Sequence, residues 1–297
     1  MQEMTIGMWL DEWFKVYVDE LSENTVRNYK DARRRISLAY PNLETLALSE
    51  LRPVAFQKMI NDLGKKYSRS TLCHIRVLYN RIYKTAIMNQ LCMLNPAQGI
   101  QIPKYASVKK VEALTIDEQE AFVNAAAKLP VMEHFALMTL LLTGLRCAEL
   151  SCLTWEDWDK QLCVLIVRKS KTERGKREIP LIPEVSGMLT YLETRKSWHD
   201  CPFIFARNGH QVMPEYLRYI CKKTGRIARI SHVTPHILRH SFATRMIERG
   251  ADPKSLSMII GHSNVAFTLQ RYVTVDQSHL AEQMMLLSNV HKDSERK

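Results

Sequence analysis

The sequence lacks the patterns that mark several protein classes. It has no apolar run of about 18 residues, which a membrane-spanning helix needs, and no signal-peptide pattern or compact polybasic amphipathic segment. Its seven cysteines are scattered and include no CxxC pair, and its ten histidines do not have the spacing of zinc ligands. The sequence therefore predicts no membrane association, no disulfide framework and no metal site, and it favours free thiols in a reducing cytoplasm.

Acidic residues are fewer than basic ones. The chain has 31 Asp and Glu against 42 Lys and Arg, which gives its 297 residues a formal net charge of +11. Because each phosphate that is neutralised by Lys or Arg releases a condensed counterion, this excess favours a nucleic acid as partner. The length allows two domains with a core each, and the hydrophobic fraction of 46% is that of a soluble globular protein.

The first predicted domain, residues 1–100, has the residue spacing of amphipathic helices. Between residues 70 and 88, for example, Leu72, Ile75 and Leu78 recur at three-residue intervals on one face. Basic side chains on the polar faces form a candidate phosphate-contacting surface, although any one of them alone is typical of a solvated helix face. These candidates are Arg27, Lys30, Arg34, His74, Arg76 and Arg81.

A linker and a second domain follow. Residues 101–112 have no periodicity and are net basic, which is typical of an interdomain linker, and Lys104 and Lys109 there are candidate DNA contacts. The second domain, residues 113–297, is predicted to begin with a capping box at Thr115–Glu118. Two β-type runs, residues 162–167 and 177–181, then interrupt the helices. The predicted fold is mainly α with a small antiparallel β-sheet, an α+β arrangement.

Five polar side chains of the second domain suit an attack on a phosphodiester. Arg146 and Arg239 are candidates for a phosphate clamp, because the planar guanidinium pairs with two oxygens and keeps its charge. His236 and His262 are candidate proton carriers or phosphate ligands, and Tyr272 is a candidate hydroxyl nucleophile. Arg239 follows His236 by three residues, so the two share a helix face.

Glu149 is a supporting member of this set. It follows Arg146 by three residues at a predicted helix start, where its carboxylate would hold the guanidinium in place.

Four sequence runs carry a family resemblance. They are TGLRCAEL at residues 143–150, PHILRHSFAT at 235–244, IGHS at 260–263 and RY at 271–272. In this order they resemble the motifs of the tyrosine recombinases, also called phage integrases. The sequence of the first run resembles that of integrases from conjugative transposons and Gram-positive phages. The resemblance implies a helical, SAM-like core-binding domain followed by a catalytic domain.

The resemblance also implies roles for the candidate residues. Tyr272 would attack the scissile phosphate and form a 3′-phosphotyrosyl bond, His236 would act in acid–base catalysis, and His262 would hydrogen-bond the phosphate. Arg146 and Arg239 would clamp the non-bridging oxygens and stabilise the transition state.

A lysine in a β-hairpin is expected to protonate the leaving 5′-oxygen in this family. Lys171 matches the family's Ser-Lys-Thr pattern, and Lys169, one strand period away, remains an alternative. A solvated turn charge is an equally good interpretation of either lysine. Lys169 and Arg174 also count as candidate DNA contacts.

The function implied is site-specific recombination without metal, ATP or other cofactor. Double-stranded DNA with recombination sites, a Holliday junction and a homotetramer linked by the tail at residues 276–297 are the expected partners, with an accessory DNA-bending or excision factor as a further candidate. The expected protein is bacterial or phage-encoded and is located in the cytoplasm at the nucleoid, where it would integrate or excise a mobile element. Two alternatives stay open: a type IB topoisomerase-like strand relaxase and a catalytically silent sequence-specific DNA-binding protein. Many members of the family carry a small N-terminal arm-binding domain, and the resemblance leaves open whether this protein lacks that domain or the sequence is truncated.

Overall fold

The computed structural model describes residues 3–108, 112–168, 175–195 and 201–261. The chain divides into two compact units, Met1–Lys110 and Val111–Lys297. Several predicted site residues lie outside the described ranges, namely Lys109, Lys169, Lys171, Arg174, His262 and Tyr272, as does the tail at residues 276–297.

The first unit is helical, and polar caps fix where its helices begin. Its helices are α1 (Ile6–Val16), α2 (Glu23–Ala39), α3 (Pro53–Gly64) and α4 (Arg69–Met88), with a 3-10 turn at Pro41–Thr45. The hydroxyls of Thr5, Ser22 and Ser68 each accept a backbone N–H from the first turn of α1, α2 and α4. The proline Pro53 occupies the first position of α3, where its missing N–H costs no hydrogen bond.

The core of the first unit extends past the predicted domain boundary at residue 100. Trp13, Phe56 and Tyr79 are fully buried at its centre. Ile102 and Ala106, which fall within the predicted linker, are also buried against this core. The sequence gives no sign of this burial, because an apolar side chain in an irregular segment packs without leaving any helical or strand period.

The second unit is mainly helical with antiparallel β-structure, as the sequence predicted, and its described residues form two small sheets where one was expected. Its elements in chain order are α5 (Ile116–Ala126), α6 (Val131–Thr143), α7 (Cys147–Cys152), a 3-10 turn (Trp155–Asp157), β1 (Trp158–Asp159), β2 (Val164–Val167), β3 (Arg177–Pro180), α8 (Pro183–Thr194), β4 (Ala206–Arg207), β5 (His210–Gln211), α9 (Pro214–Ile227), α10 (Pro235–Glu248) and α11 (Pro253–Ile260). The strands pair in the order β1-β2-β3, and β4 pairs with β5. The predicted capping box at the start of α5 is confirmed, since Thr115 and Glu118 exchange side chain and backbone hydrogen bonds.

Helix α6 is the central element of this unit. Ala136, Leu137 and Leu140 are fully buried, and each such leucine contributes about 1.5–3 kcal/mol by leaving water. Because α6 is apolar on most sides, α10 and α8 both pack against it. This packing brings the C-terminal end of α6 next to α10, and Arg146 and Arg239 lie at that junction.

No described helix has both the length and the hydropathy that a membrane span requires. Within the described ranges, His, Cys, Asp and Glu side chains also form no group of three or more that is placed to hold a metal ion.

Candidate functional site

A glycine turn at the end of α6 sets the position of Arg146. Gly144 caps the helix in the left-handed conformation, with φ of 65°, which glycine adopts at little cost. A Cβ atom at this position would lie 2.5 Å from Cδ1 of Phe242, a side chain of α10. The turn therefore needs glycine for its conformation and for its close approach to α10. Two residues later, Arg146 is the N-cap of α7.

Glu149 holds Arg146 through both its backbone and its side chain. The Arg146 backbone N–H donates to Oε2 of Glu149 at 2.8 Å, and Nη1 of Arg146 donates to Oε1 at 2.6 Å. The Arg146 side chain is 38% exposed whereas that of Glu149 is 3% exposed. The contact predicted from their spacing is thus present, and it anchors an arginine that reaches the protein surface.

Helix α10 supplies the second arginine and the first histidine of the set. The hydroxyl of Thr234 accepts the Ile237 N–H at 3.2 Å, so the helix begins directly before His236. His236 is exposed, whereas Arg239 is only 3% exposed.

The buried Arg239 guanidinium joins three helices. Nη1 donates to the carbonyl of Gly144 at 2.7 Å, beyond the end of α6, and Nη2 donates to the carbonyl of Ile260 in α11 at 2.5 Å. Backbone carbonyls carry partial negative charge at helix C-terminal ends, so they stabilise a buried cation there.

Arg146, His236 and Arg239 line one cavity of 550 Å³. Arg218 and Lys222, four residues apart on α9, line the same cavity. Four cationic side chains around one concave surface favour a bound anion, and the guanidiniums suit phosphate oxygens in particular.

Arg177 on β3 is a site residue that was not predicted from the sequence. Its side chain is 7% exposed, and Nη2 lies 3.0 Å from Oε2 of Glu149. A signal for it exists in the strand pattern: β3 buries Ile179, and Arg177, two residues earlier, is on the same face. A charged residue at the inward position of a strand points to a buried ionic partner.

Burial and hydrogen bonding have opposite effects on the pKa of Glu149. Burial raises it, whereas the hydrogen bond and charge of Arg177 and the contacts with Arg146 lower it, and the net result is a pKa below the ordinary 4.5. The carboxylate is therefore ionised at neutral pH, which suits its position between two guanidiniums.

In the first unit, three candidate DNA contacts lie on α2. Arg27 and Lys30 are exposed. Arg34 is exposed too, but its Nη2 is 2.8 Å from Oδ1 of Asp31. The structure thus places Arg27 and Lys30 in solvent and Arg34 in a local ion pair.

The remaining candidates on α4 and after it differ in exposure. His74 and Lys104 are exposed, and Arg81 donates to the Tyr29 hydroxyl at 3.4 Å. Arg76 is half-buried and donates to the carbonyl of Ile100 at 3.1 Å. Arg76 therefore has a structural contact that joins α4 to the segment after it.

Comparisons with known proteins cover both units. The model of the phage integrase family matches residues 112–279, and that of the N-terminal SAM-like domain of phage integrases matches residues 5–64. The tyrosine recombinase XerA of Pyrococcus furiosus is 35% identical over 176 residues, which are 58% of this chain and 60% of XerA. The transposase from transposon Tn916 of Enterococcus faecalis is 30% identical over 213 residues, 61% of this chain and 52% of that protein. This chain thus spans less than two thirds of the length of either relative.

A solved structure has the same fold. The Tn1549 transposon integrase in complex with a circular intermediate DNA superposes with a TM-score of 0.76 at 22% identity, covering 96% of this chain and 99% of that one.

Proposed function

Because the chain belongs to the phage integrase family, the tyrosine recombinases, we propose that it cleaves and rejoins double-stranded DNA at specific sites, through a 3′-phosphotyrosyl intermediate on Tyr272. The observation that carries this proposal is the arrangement of Arg146, His236 and Arg239 around one cationic cavity. Arg146 comes from one motif, and His236 and Arg239 come from a second motif far along the sequence. All three side chains suit the binding and cleavage of a phosphodiester.

The two arginines supply the charge stabilisation. Strand cleavage concentrates negative charge on the non-bridging oxygens of the phosphate, and fixed guanidiniums stabilise that charge without reorganising during the reaction. The contacts of Arg146 with Glu149 and of Arg239 with two carbonyls fix both groups at the cavity wall.

Each step of the reaction exchanges one phosphoester bond for another. The hydroxyl oxygen of Tyr272 forms a bond to phosphorus while the bond to the 5′-oxygen breaks, so the phosphotyrosyl ester retains the bond energy and rejoining needs neither ATP nor metal. A phenol has an unperturbed pKa of about 10 and must lose its proton. We assign proton removal to His236, protonation of the leaving oxygen to Lys171, with Lys169 as the alternative, and a phosphate hydrogen bond to His262.

The proposed substrate is a pair of recombination sites at the ends of a mobile element. Exchange between two duplexes requires four active sites, and therefore a homotetramer around a Holliday junction, with residues 276–297 docked on the neighbouring subunit. An accessory bending or excision factor would bind the DNA nearby. The Tn916 similarity and the Tn1549 fold support this choice of substrate, and the exposed Arg27 and Lys30 supply candidate phosphate contacts.

Covalent capture from a DNA library tests the proposal and selects the target site in the same step. The protein is incubated with a randomised duplex library whose members carry a nick, so that cleavage near the nick releases a short 5′-hydroxyl fragment and traps the adduct. We expect DNA that stays attached in SDS and shares one sequence, both with and without EDTA and in the absence of ATP.

The variant R146A is expected to lose capture, while R249A, an exposed arginine at the end of α10, serves as the matched control. Absence of any adduct with the unmodified protein would contradict the proposal. Relaxation of supercoiled plasmid that lacks the captured sequence would instead favour a type IB topoisomerase-like activity.

A further inference from the structure

Three guanidiniums converge on the C-terminal end of α11. Nε of Arg177 donates to the carbonyl of Ile259 at 2.5 Å, Nη2 of Arg239 to that of Ile260, and Nη2 of Arg146 to that of Gly261 at 2.8 Å. The last carbonyls of a helix lack partners within the helix and carry the negative end of its dipole. Arg177 is the member of this trio for which the proposed reaction gives no role.

Arg177 divides its donors between the end of α11 and Glu149. Nη1 and Nη2 lie 3.2 Å and 3.0 Å from the two carboxylate oxygens, in a fork-to-fork arrangement. Nη1 also donates to the carbonyl of Gly175 at 2.8 Å. Because these two side chains are buried, each charge depends on the other for its stabilisation.

Glu149 connects Arg177 to Arg146 through shared hydrogen bonds. The same Oε1 that contacts Arg177 accepts from Nη1 of Arg146, and the same Oε2 accepts the Arg146 backbone N–H. A continuous chain of hydrogen bonds therefore runs from β3 through Glu149 to the guanidinium that lines the cationic cavity.

Close packing reinforces the contact with α11. Gly261 ends the helix with φ of 65°, and a Cβ atom there would lie 3.1 Å from Nη1 and 3.2 Å from Cδ of Arg177. The Arg177 side chain thus lies flat against the residue that directly precedes His262 in the sequence.

From this geometry we propose that Arg177 is a positioning residue for strand cleavage: it fixes Glu149 and the end of α11, and through them it orients Arg146 toward the phosphate. This inference rests on the proposed function. Arg177 does not contact the cavity, so its effect is on the rate of the chemical step and not on DNA affinity.

Glu149 supplies a readout that a purely structural role would not change. Burial raises its pKa and Arg177 lowers it, so without Arg177 the pKa rises and the carboxyl binds a proton at higher pH. Further charged groups of the described residues that face Glu149 include Arg146, the N-cap of its helix, and side chains that share a cavity of 230 Å³ with it. These are Glu156, Asp157 and Arg168.

The experiment measures single-turnover adduct formation on a nicked duplex of the captured sequence, over a range of pH, together with the Kd for the same DNA. The variants are R177Q, R177K, E149Q and the double variant R177Q/E149Q. The control is R33Q, because Arg33 forms a similar fork with Glu44 in the first unit, with Nη2 at 2.6 Å from Oε2.

We expect R177Q to slow cleavage by on the order of 100-fold, the effect of misplacing a catalytic group by about 1 Å, with the Kd unchanged. The part of the acid limb that Glu149 contributes moves to higher pH in R177Q, and E149Q removes that part. The double variant is no slower than the slower single variant, because both changes break one chain of contacts. R33Q leaves the rate and its pH profile unchanged.

R177K keeps the positive charge but cannot form the paired hydrogen bonds to both Glu149 oxygens. Its cleavage rate is therefore expected to lie between those of the unmodified protein and R177Q. If R177Q does not fold, R177K carries the test, and a rate equal to that of the unmodified protein overturns the proposal. Additive losses in the double variant, or an unshifted acid limb in R177Q, overturn it as well. Absence of any adduct with the unmodified protein would instead refute the proposed function.

Discussion

Replacing Gly144 by alanine is expected to destabilise the second unit and to displace the arginine clamp. An alanine in the left-handed conformation costs about 1–2 kcal/mol. Its Cβ would also lie 2.5 Å from Cδ1 and 2.9 Å from Cε1 of Phe242, and overpacking of this kind costs about 1–3 kcal/mol. The sum is about 2–5 kcal/mol. Because the Gly144 carbonyl accepts from Arg239, any shift that relieves the clash also moves that guanidinium.

Native-state hydrogen exchange of the buried α6 amides measures the loss of unfolding free energy. Gly250 provides the matched control: it follows α10 with φ of 82°, and nothing lies within 4 Å of its Cβ position. G250A should cost only the conformational part, about 1–2 kcal/mol. Combining G144A with F242L should recover the part of the unfolding free energy that is lost to overpacking, together with some of the cleavage rate. Equal losses for G144A and G250A would refute the inference that α10 excludes a side chain at position 144.

Three further outcomes are expected. S241A should cost about 1–3 kcal/mol of unfolding free energy in chemical denaturation, because it leaves the buried Leu114 N–H, now 2.8 Å from the serine hydroxyl, without that acceptor; an unchanged free energy would contradict this. The lowered pKa of Glu149 means that its carboxylate stabilises the fold above pH 4.5 and that this contribution is lost as the pH falls through the folded-state pKa. E149Q should therefore reduce the dependence of the unfolding free energy on pH in this acid range, and an unchanged dependence would contradict the assignment to Glu149. R27A and K30A should each reduce the slope of log K against log salt by about 1 in DNA titrations, whereas an unaltered slope would remove that residue from the interface.

Local signals in the sequence were sufficient for most elements of the fold. The spacing of Leu72, Ile75 and Leu78 predicted the helix that the structure has at Arg69–Met88, because a face of apolar residues leaves its period in the sequence. The capping box of Thr115 was equally visible, since its two partners are three residues apart.

Features that depend on long-range packing were not predictable in the same way. Ile102 packs on the first core from an irregular segment, and Arg177 contacts α11 across 82 residues of sequence. Neither contact leaves a period, so only the tertiary structure shows it.

The hairpin of β4 and β5 is a different case. Asn208 and Gly209 form its turn with φ of 52° and 74°, and an Asn-Gly pair is a strong hairpin signal. The strands are two residues long, too short for any alternation to support the signal.

Within the described residues, the candidate site was predictable in part of its membership and in few of its contacts. Arg146, His236 and Arg239 were chosen by residue type and motif, and the structure places all three on one cavity. The carbonyls of Gly144 and Ile260 that hold Arg239 could not be chosen from sequence, because every residue carries a carbonyl and only the fold decides which ones meet a guanidinium.

The most direct test of the proposed strand cleavage is to identify the amino acid that becomes attached to DNA. The captured adduct is digested with protease and nuclease, and the modified peptide is located by mass spectrometry. We predict a nucleotide linked through its 3′-phosphate to Tyr272, and no adduct at all from Y272F under conditions in which that variant still binds the captured duplex. A phosphotyrosyl bond at another tyrosine, or an adduct that persists in Y272F, would contradict the proposed mechanism.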